Sequence, residues 1–357
     1  MGIRSSMKQL RRLLGPVLRI PMMSVLTSRI AGFGPLVSNM LARIKRGRKT
    51  PYVCSFPHFD PEQSLSYLNE VYEDYFTYSG LASSAVEGKH VLEVGPGENL
   101  GVGLRFAADG AARVVSADRF RSLRPPAEQV EVYRRLISSL NAAQRTRLEL
   151  ALNLRERDYT INSRICTYLT EAPLESLYHH LAPSTFDLIV SRAVLEHIFD
   201  IDQALGTMDI LLKPGGVMIH EVDLRDHGMF TRYGLNPLTF LTFGKRSWYM
   251  MSSHTGSPNR VPMRHYFEEL DRRGYDIDIL KVHAVREDGE EVKVHKKELE
   301  YGVDYDDNSV KMVDGIRPWL NRDVAHLPAE ELLVGAFFLV CRKPDSIVRE
   351  QAKQMKR

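Results

Sequence analysis

Apolar positions along this chain fall into short runs separated by longer amphipathic stretches. His90–Val94, Arg113–Ala117, Phe186–Val190 and Gly216–Val222 read as strands of the fully buried kind, each ending in glycine or a polar residue. Ile165–Leu169 is a weaker run ending at Thr170-Glu171, Asp276–Val282 follows the turn at Gly274, and Leu332–Cys341 is the last. Between them lie helical periods, such as Val132, Leu136, Ile137 and Leu140 on one face of the stretch 120–164. Residues 60–88, rich in aromatics and acids, read as a helical lead-in. Strands alternating with helices predict a parallel, doubly wound α/β sheet covered on both faces. The long stretches 224–273 and 283–331 are expected to be insertions that serve ligand binding.

Upstream of this rhythm the pattern changes. Leu10, Leu13, Leu14, Val17 and Leu18 share one helical face, with Lys8, Arg11, Arg12 and Arg19 opposite, interrupted by Gly15-Pro16. Residues 1–59 hold eleven Lys/Arg and no acid; the whole chain carries +3, which leaves the remainder at −8. Four readings of this segment stay open: a helix packed on the body, a peripheral contact with an anionic membrane through residues 1–50, a nucleic-acid contact, or a transit peptide. Met1-Gly2 with Ser6 also matches a myristoylation pattern. Arg19 and Arg29 interrupt the longest apolar stretch, Val17 to Val37, so neither a membrane span nor a signal peptide is expected.

Composition adds little. At 43% hydrophobic and 26% charged the chain is of ordinary globular type. Cys54, Cys166 and Cys341 are scattered, which predicts no disulfide framework, no metal site and a reducing, cytoplasmic setting.

The chemistry concentrates in Glu93-Val94-Gly95-Pro96-Gly97-Glu98-Asn99-Leu100-Gly101. A strand running into glycines lets backbone approach a ligand closely. No Gly-Lys-Ser/Thr follows, which excludes a P-loop. A dinucleotide fingerprint would place its third glycine at Leu100. Glu93 would repel a pyrophosphate but attract the ammonium of a methionine moiety. Asp118, at the end of the second strand, suits a ribose diol, and reads equally as a turn cap.

These residues resemble the class I S-adenosylmethionine-dependent methyltransferases. Glu93–Gly97 is similar to the first motif of that family, and Asp118 to its second-strand acid. Thr170–Glu175 is similar to the turn near the adenine. Phe186–Ser191 with Val194-Leu195-Glu196-His197 is similar to the fourth-strand motif, and Leu211–Gly216 to the turn before the fifth. The resemblance covers about residues 88–342, with Asn99 standing where many members have a third glycine. It implies a seven-stranded Rossmann-like methyltransferase sheet of order 3-2-1-4-5-7-6, the last strand antiparallel. The implied domain spans 60–345, between a basic extension 1–59 and a polar tail 346–357. It also implies S-adenosyl-L-methionine as cofactor, held by Glu93, Gly95, Gly97, Asn99, Asp118, Glu171 and Ser191. A looser resemblance, through Glu221–His227 and Glu93–Leu104, is to methyltransferases of polysaccharide and small-molecule biosynthesis.

Methyl transfer to oxygen or nitrogen calls for alignment and a group to take a proton. The candidates are His197, Asp223 and His227; each reads otherwise as a surface or loop residue. Arg225, Trp248, His254 and Arg260 are candidates for the substrate, with Phe240, Phe243, Lys245, Arg246, Tyr249 and Asn259 around them; the alternative is an aromatic lid packed on the core. The expected acceptor is a small molecule or a glycan or nucleotide-sugar precursor. A nucleic-acid acceptor fits poorly with an acidic body lacking a base-flipping motif. A cofactor-binding scaffold without activity is a further reading, and Glu93 and Leu100 speak against a nicotinamide-dependent reductase.

Overall fold

The computed structural model describes residues 21–46, 59–122, 124–253, 257–287 and 291–345. The basic stretch 8–19, His254 and the tail 346–357 lie outside them.

The chain forms an eight-stranded sheet. In chain order its strands are β1 (His90–Val94), β2 (Arg113–Ala117), β5 (Cys166–Leu169), β6 (Phe186–Arg192), β7 (Leu212–Asp223), β8 (Asp276–Val285), β9 (Glu291–Lys296) and β10 (Val334–Arg342). A separate hairpin, β3 (Leu152–Leu154) with β4 (Tyr159–Ile161), lies between β2 and β5. The sheet order is β5-β2-β1-β6-β7-β10-β8-β9. The first five are parallel, and β10 runs antiparallel to both β7 and β8. This is the expected order, with one strand added at the edge.

Alternation of side chains explains the two-sided burial. Val91, Val114, Leu188 and Val217 face one core, whereas Leu92, Val115, Ile189 and Met218 face the other. The first core is closed by α3 (Pro61–Ser79), α4 (Gly101–Ala108), α5 (Pro126–Ser139) and α6 (Ala142–Ala151). The second takes α7 (Ile201–Leu211), α9 (Met263–Arg272) and α10 (Asp307–Ile316). The lead-in helix α3 starts on a capping box, in which Gln63 N donates to Asp60 Oδ1 at 2.8 Å and Asp60 N to Gln63 Oε1 at 3.1 Å.

The β3–β4 hairpin stands in the stretch 120–164 read as helical, and two strands of the main sheet also depart from the sequence reading. β7 begins at Leu212, because the Lys213–Gly216 turn stays in the sheet as an irregularity; Gly215 takes φ +72°, and its N–H donates to the Lys343 carbonyl. β9 occupies part of the segment expected as an insertion. Its sequence alternates Val292 and Val294 with Lys293 and His295, and such charged alternation suits an exposed edge.

Candidate active site

A cavity of about 870 Å³ opens at the carboxyl ends of β1, β2 and β6, where the sheet order reverses. Its floor is the turn after β1. Gly95 and Gly97 both take left-handed backbone, φ +72° and +70°. A Cβ at Gly95 would stand 2.4 Å from Val194 Cγ2, whereas one at Gly97 would meet no atom within 4 Å. Gly95 thus lets the turn after β6 pack close through Val194, and Gly97 keeps the cavity open. Asn99 lines the cavity, and its Oδ1 accepts from Gly101 N at 2.8 Å, helping to start α4.

Glu93 forms part of the wall and is almost fully buried. Ser116 Oγ donates to its Oε2 at 2.6 Å. Burial pushes its carboxyl up to about 7, against the opposing pull of Ser116 and the Gly103 amide. Gly103 permits this arrangement, since a Cβ there would lie 2.6 Å from Ser116 Oγ and 2.9 Å from Glu93 Oε2. Sequence reasoning missed both Ser116 and Gly103. The signal was a second glycine inside the first turn of a short helix. Asp118 stands opposite. Its Oδ1 accepts from Phe120 N at 2.8 Å, and burial raises its carboxyl against backbone bonds from Phe120 and Gly97. A carboxylate has about four acceptor sites, so capacity for a diol remains.

Two predicted cofactor residues stand elsewhere. Glu171 is exposed, at φ +57°, and off the cavity wall; Ala172, Leu174 and Glu175 provide that part of it. Ser191 is fully buried in the sheet, bonded through Oγ to His220 Nδ1 at 2.7 Å on the paired strand. Burial pulls that imidazole down to about 3, so it is neutral and the pair is a core polar contact.

The far end of the cavity carries His197 and His227, with ring centroids 5.0 Å apart. His197 sits on a one-turn helix after β6. Asn259, from the long insertion, stitches that turn: its N–H reaches the Glu196 carbonyl at 2.5 Å, and its amide nitrogen those of Leu195 and Ile198 at 2.8 and 2.7 Å. Asn259 therefore positions the turn, a role that only the folded chain reveals. His227 takes φ +50°, a backbone conformation uncommon outside glycine. Asp226, beside it, holds the loop: its carboxylate accepts from Gly228 N, Phe230 N, Thr231 N and Thr231 Oγ1 at 2.7 to 2.9 Å.

Glu196 is 1% exposed, and burial pushes its carboxyl well above the usual range. Among the described residues, ligand atoms of Glu196, His197 and His227 lie within 4.8 Å of one another, a convergence that the sequence did not announce.

Asp223 does not have the character of a base. Arg225 grips it through Nε at 2.8 Å and Nη2 at 2.5 Å. Burial alone would raise this carboxyl; the bonds from Arg225 and His227 outweigh it and hold it well below the usual range. The predicted substrate residues are also dispersed. Arg225 and Arg260 line a neighbouring cavity of about 270 Å³ behind the Asp226–His227 loop. The Arg260 guanidinium donates to the Phe240 and Phe243 carbonyls and covers the Trp248 ring at 4.6 Å. Trp248 is buried among Phe240 and Phe243, its Nε1 donating to the Pro258 carbonyl at 2.8 Å, and belongs to the core.

Residues 66–278 match the family model described as a methyltransferase domain, more than half of the chain. The chain belongs to the class I S-adenosylmethionine-dependent methyltransferases. Its cofactor is S-adenosylmethionine, and the open side of Gly97 between Glu93 and Asp118 fits that molecule's two polar ends. Solved structures of similar shape include an S-adenosylmethionine dependent methyltransferase from Mesorhizobium loti, 16% identical, with a TM-score of 0.38 over 77% of this chain and 100% of that one. Another is phosphoethanolamine N-methyltransferase 2 from Haemonchus contortus, 16% identical, with a TM-score of 0.36 over 79% of this chain and 57% of that one. The YcgJ protein from Bacillus subtilis is 11% identical, with a TM-score of 0.40 over 78% and 100%. A search of curated proteins found no match.

Proposed function

We propose that this methyltransferase moves a methyl group to an oxygen or nitrogen atom of a small molecule or of a glycan or nucleotide-sugar precursor. The observation that carries this reading is the continuity of one cavity from Glu93 and Asp118 to His197 and His227. When bound, S-adenosylmethionine supplies a methyl group on a sulfonium whose departure leaves a neutral thioether. Glu93 would pair with the cofactor ammonium, Asp118 would accept from its ribose hydroxyls, and the turn at Gly95–Gly97 would border it. The acceptor lies toward His197, which takes the proton as the new carbon–heteroatom bond forms and the sulfur–carbon bond breaks. His227 bounds the same space, and Asn259 and Asp226 hold the two loops in place. The basic N-terminal segment would keep the enzyme at a membrane surface.

The test is transfer of labelled methyl from S-adenosylmethionine to a cell extract, with His197→Ala beside the wild type. Labelled product from the wild type, with at least a hundredfold slower transfer by His197→Ala and unchanged adenosylhomocysteine binding, is expected. Full-rate transfer by His197→Ala would remove the base assignment.

A further inference from the structure

The start of the described chain is a nearly continuous helix, α1 (Pro21–Ala31) and α2 (Phe33–Arg46), bent at Gly32. The backbone bonds Gly32 N to Ser28 O and Leu36 N to Gly32 O carry the helix through the bend. One face is bound to the body. Ser24 Oγ accepts from Asn236 N at 3.0 Å, Arg29 covers the Phe243 ring at 4.4 Å, and the Asn39 amide donates to the Met250 carbonyl at 2.8 Å. Gly32 lies against Met251 and Phe243, where a Cβ would come within 3.1 to 3.4 Å.

The opposite face is apolar, and its side chains are exposed among the described residues. Met22, Leu26, Ile30, Phe33, Val37 and Met40 recur every three or four residues, and Leu41 joins them. Ile30 is 79% exposed and Phe33 66%. Tyr249 and Met250, on the helix that Asn39 touches, are exposed as well. A soluble monomer rarely leaves such a continuous apolar stripe in water. The sequence that carries it has charge of one sign: residues 1–59 hold eleven Lys/Arg and no acid, against −8 on the rest of the chain. An apolar helix face within a purely basic segment matches an anionic bilayer surface, where the apolar side chains enter the acyl boundary and the cations meet head groups. The same helix is also a wall of the active-site cavity, through Gly34, Pro35 and Ser38.

We propose that residues 21–46 seat the protein on an anionic membrane, and that the methyl acceptor is an amphiphile entering the cavity from that surface, polar end toward His197. The second half rests on the reading of the cavity as the acceptor site. In the transfer, the sulfonium loses its S–CH₃ bond, the head-group heteroatom gains the methyl, and its proton passes to His197.

The test is co-sedimentation of the full-length protein with vesicles of phosphatidylcholine alone or with 30 mole percent phosphatidylglycerol. Binding to the anionic vesicles at least tenfold above that to neutral ones is expected. A Leu26→Asp/Ile30→Asp/Phe33→Asp variant should lose at least tenfold of it while keeping its adenosylhomocysteine affinity, which shows it folded. Equal binding by that variant, retention of RNA instead of vesicles, or a stripe occupied by a second copy in solution would overturn the docking. Labelled methyl is then traced through chloroform–methanol extraction. Label in the organic phase supports the amphiphile, and label confined to the aqueous phase overturns it. Vesicle binding without any labelled product overturns the acceptor reading and leaves the docking standing.

Discussion

At the residue scale, Glu93 carries the most informative chemistry. Its free carboxyl titrates near 7 because burial costs the anion its hydration. Pairing with a cofactor ammonium requires the ionised form. Protons therefore compete with the cofactor below 7, and affinity falls as pH falls through that value. Adenosylhomocysteine should bind about tenfold more weakly per pH unit between 6 and 5 than near 7.5. Glu93→Gln should bind at least about tenfold more weakly and lose this slope. A wild-type affinity that stays constant from pH 5 to 7.5 would contradict the pairing. Gly103→Ala sets two effects against each other. Alanine gains about 1 kcal/mol of helix preference, but its Cβ intrudes on two bonded, buried oxygens at 2.6 and 2.9 Å. Overpacking of roughly 1–3 kcal/mol should win, lowering the urea midpoint; a raised midpoint would show that the contact yields. Glu93, Gly95 and Gly97 were legible because an acid before glycines at a strand end is a local pattern. Ser191 and Glu171 were misplaced because a strand-end position does not say which way a side chain faces.

At the element scale, the loop after β7 and the turn after β6 build the acceptor end. The run Asp223, Arg225, Asp226, His227 was visible as a polar cluster, yet its division of labour was not. Asp223 neutralises Arg225, Asp226 satisfies the loop's backbone, and His227 packs edge-on against His197. Asp226→Ala would take the carboxylate acceptor from three buried or half-buried amides and a hydroxyl, and should cost about 3 kcal/mol in chemical denaturation. Turnover should fall further than adenosylhomocysteine affinity, because the loop borders the acceptor. Unchanged stability would mean that the loop does not depend on this carboxylate. The Asn259 bonds to the 195–198 turn span more than sixty residues of sequence, beyond the reach of any local motif.

At the scale of the whole molecule, the alternation of buried strands with helices announced a parallel sheet covered on both faces, and its strand order and antiparallel strand came with the family resemblance. The added edge strand β9 was hidden because alternating valines and charges inside a long insertion read equally as a loop. The lateral closure of the cavity by α1 and α2 could not be read at all. It depends on contacts between residues about 210 apart, such as Asn39 with Met250. The cavity thus has a cofactor end written in local motifs and an acceptor end assembled by tertiary contacts. The most direct test of that cofactor end is calorimetric titration of adenosylhomocysteine into the wild type and Asp118→Ala. One equivalent should bind to the wild type, and at least about tenfold more weakly to the variant, which loses two ribose hydrogen bonds to a charged acceptor. No binding to a folded wild type, or equal affinity in the variant, would contradict it.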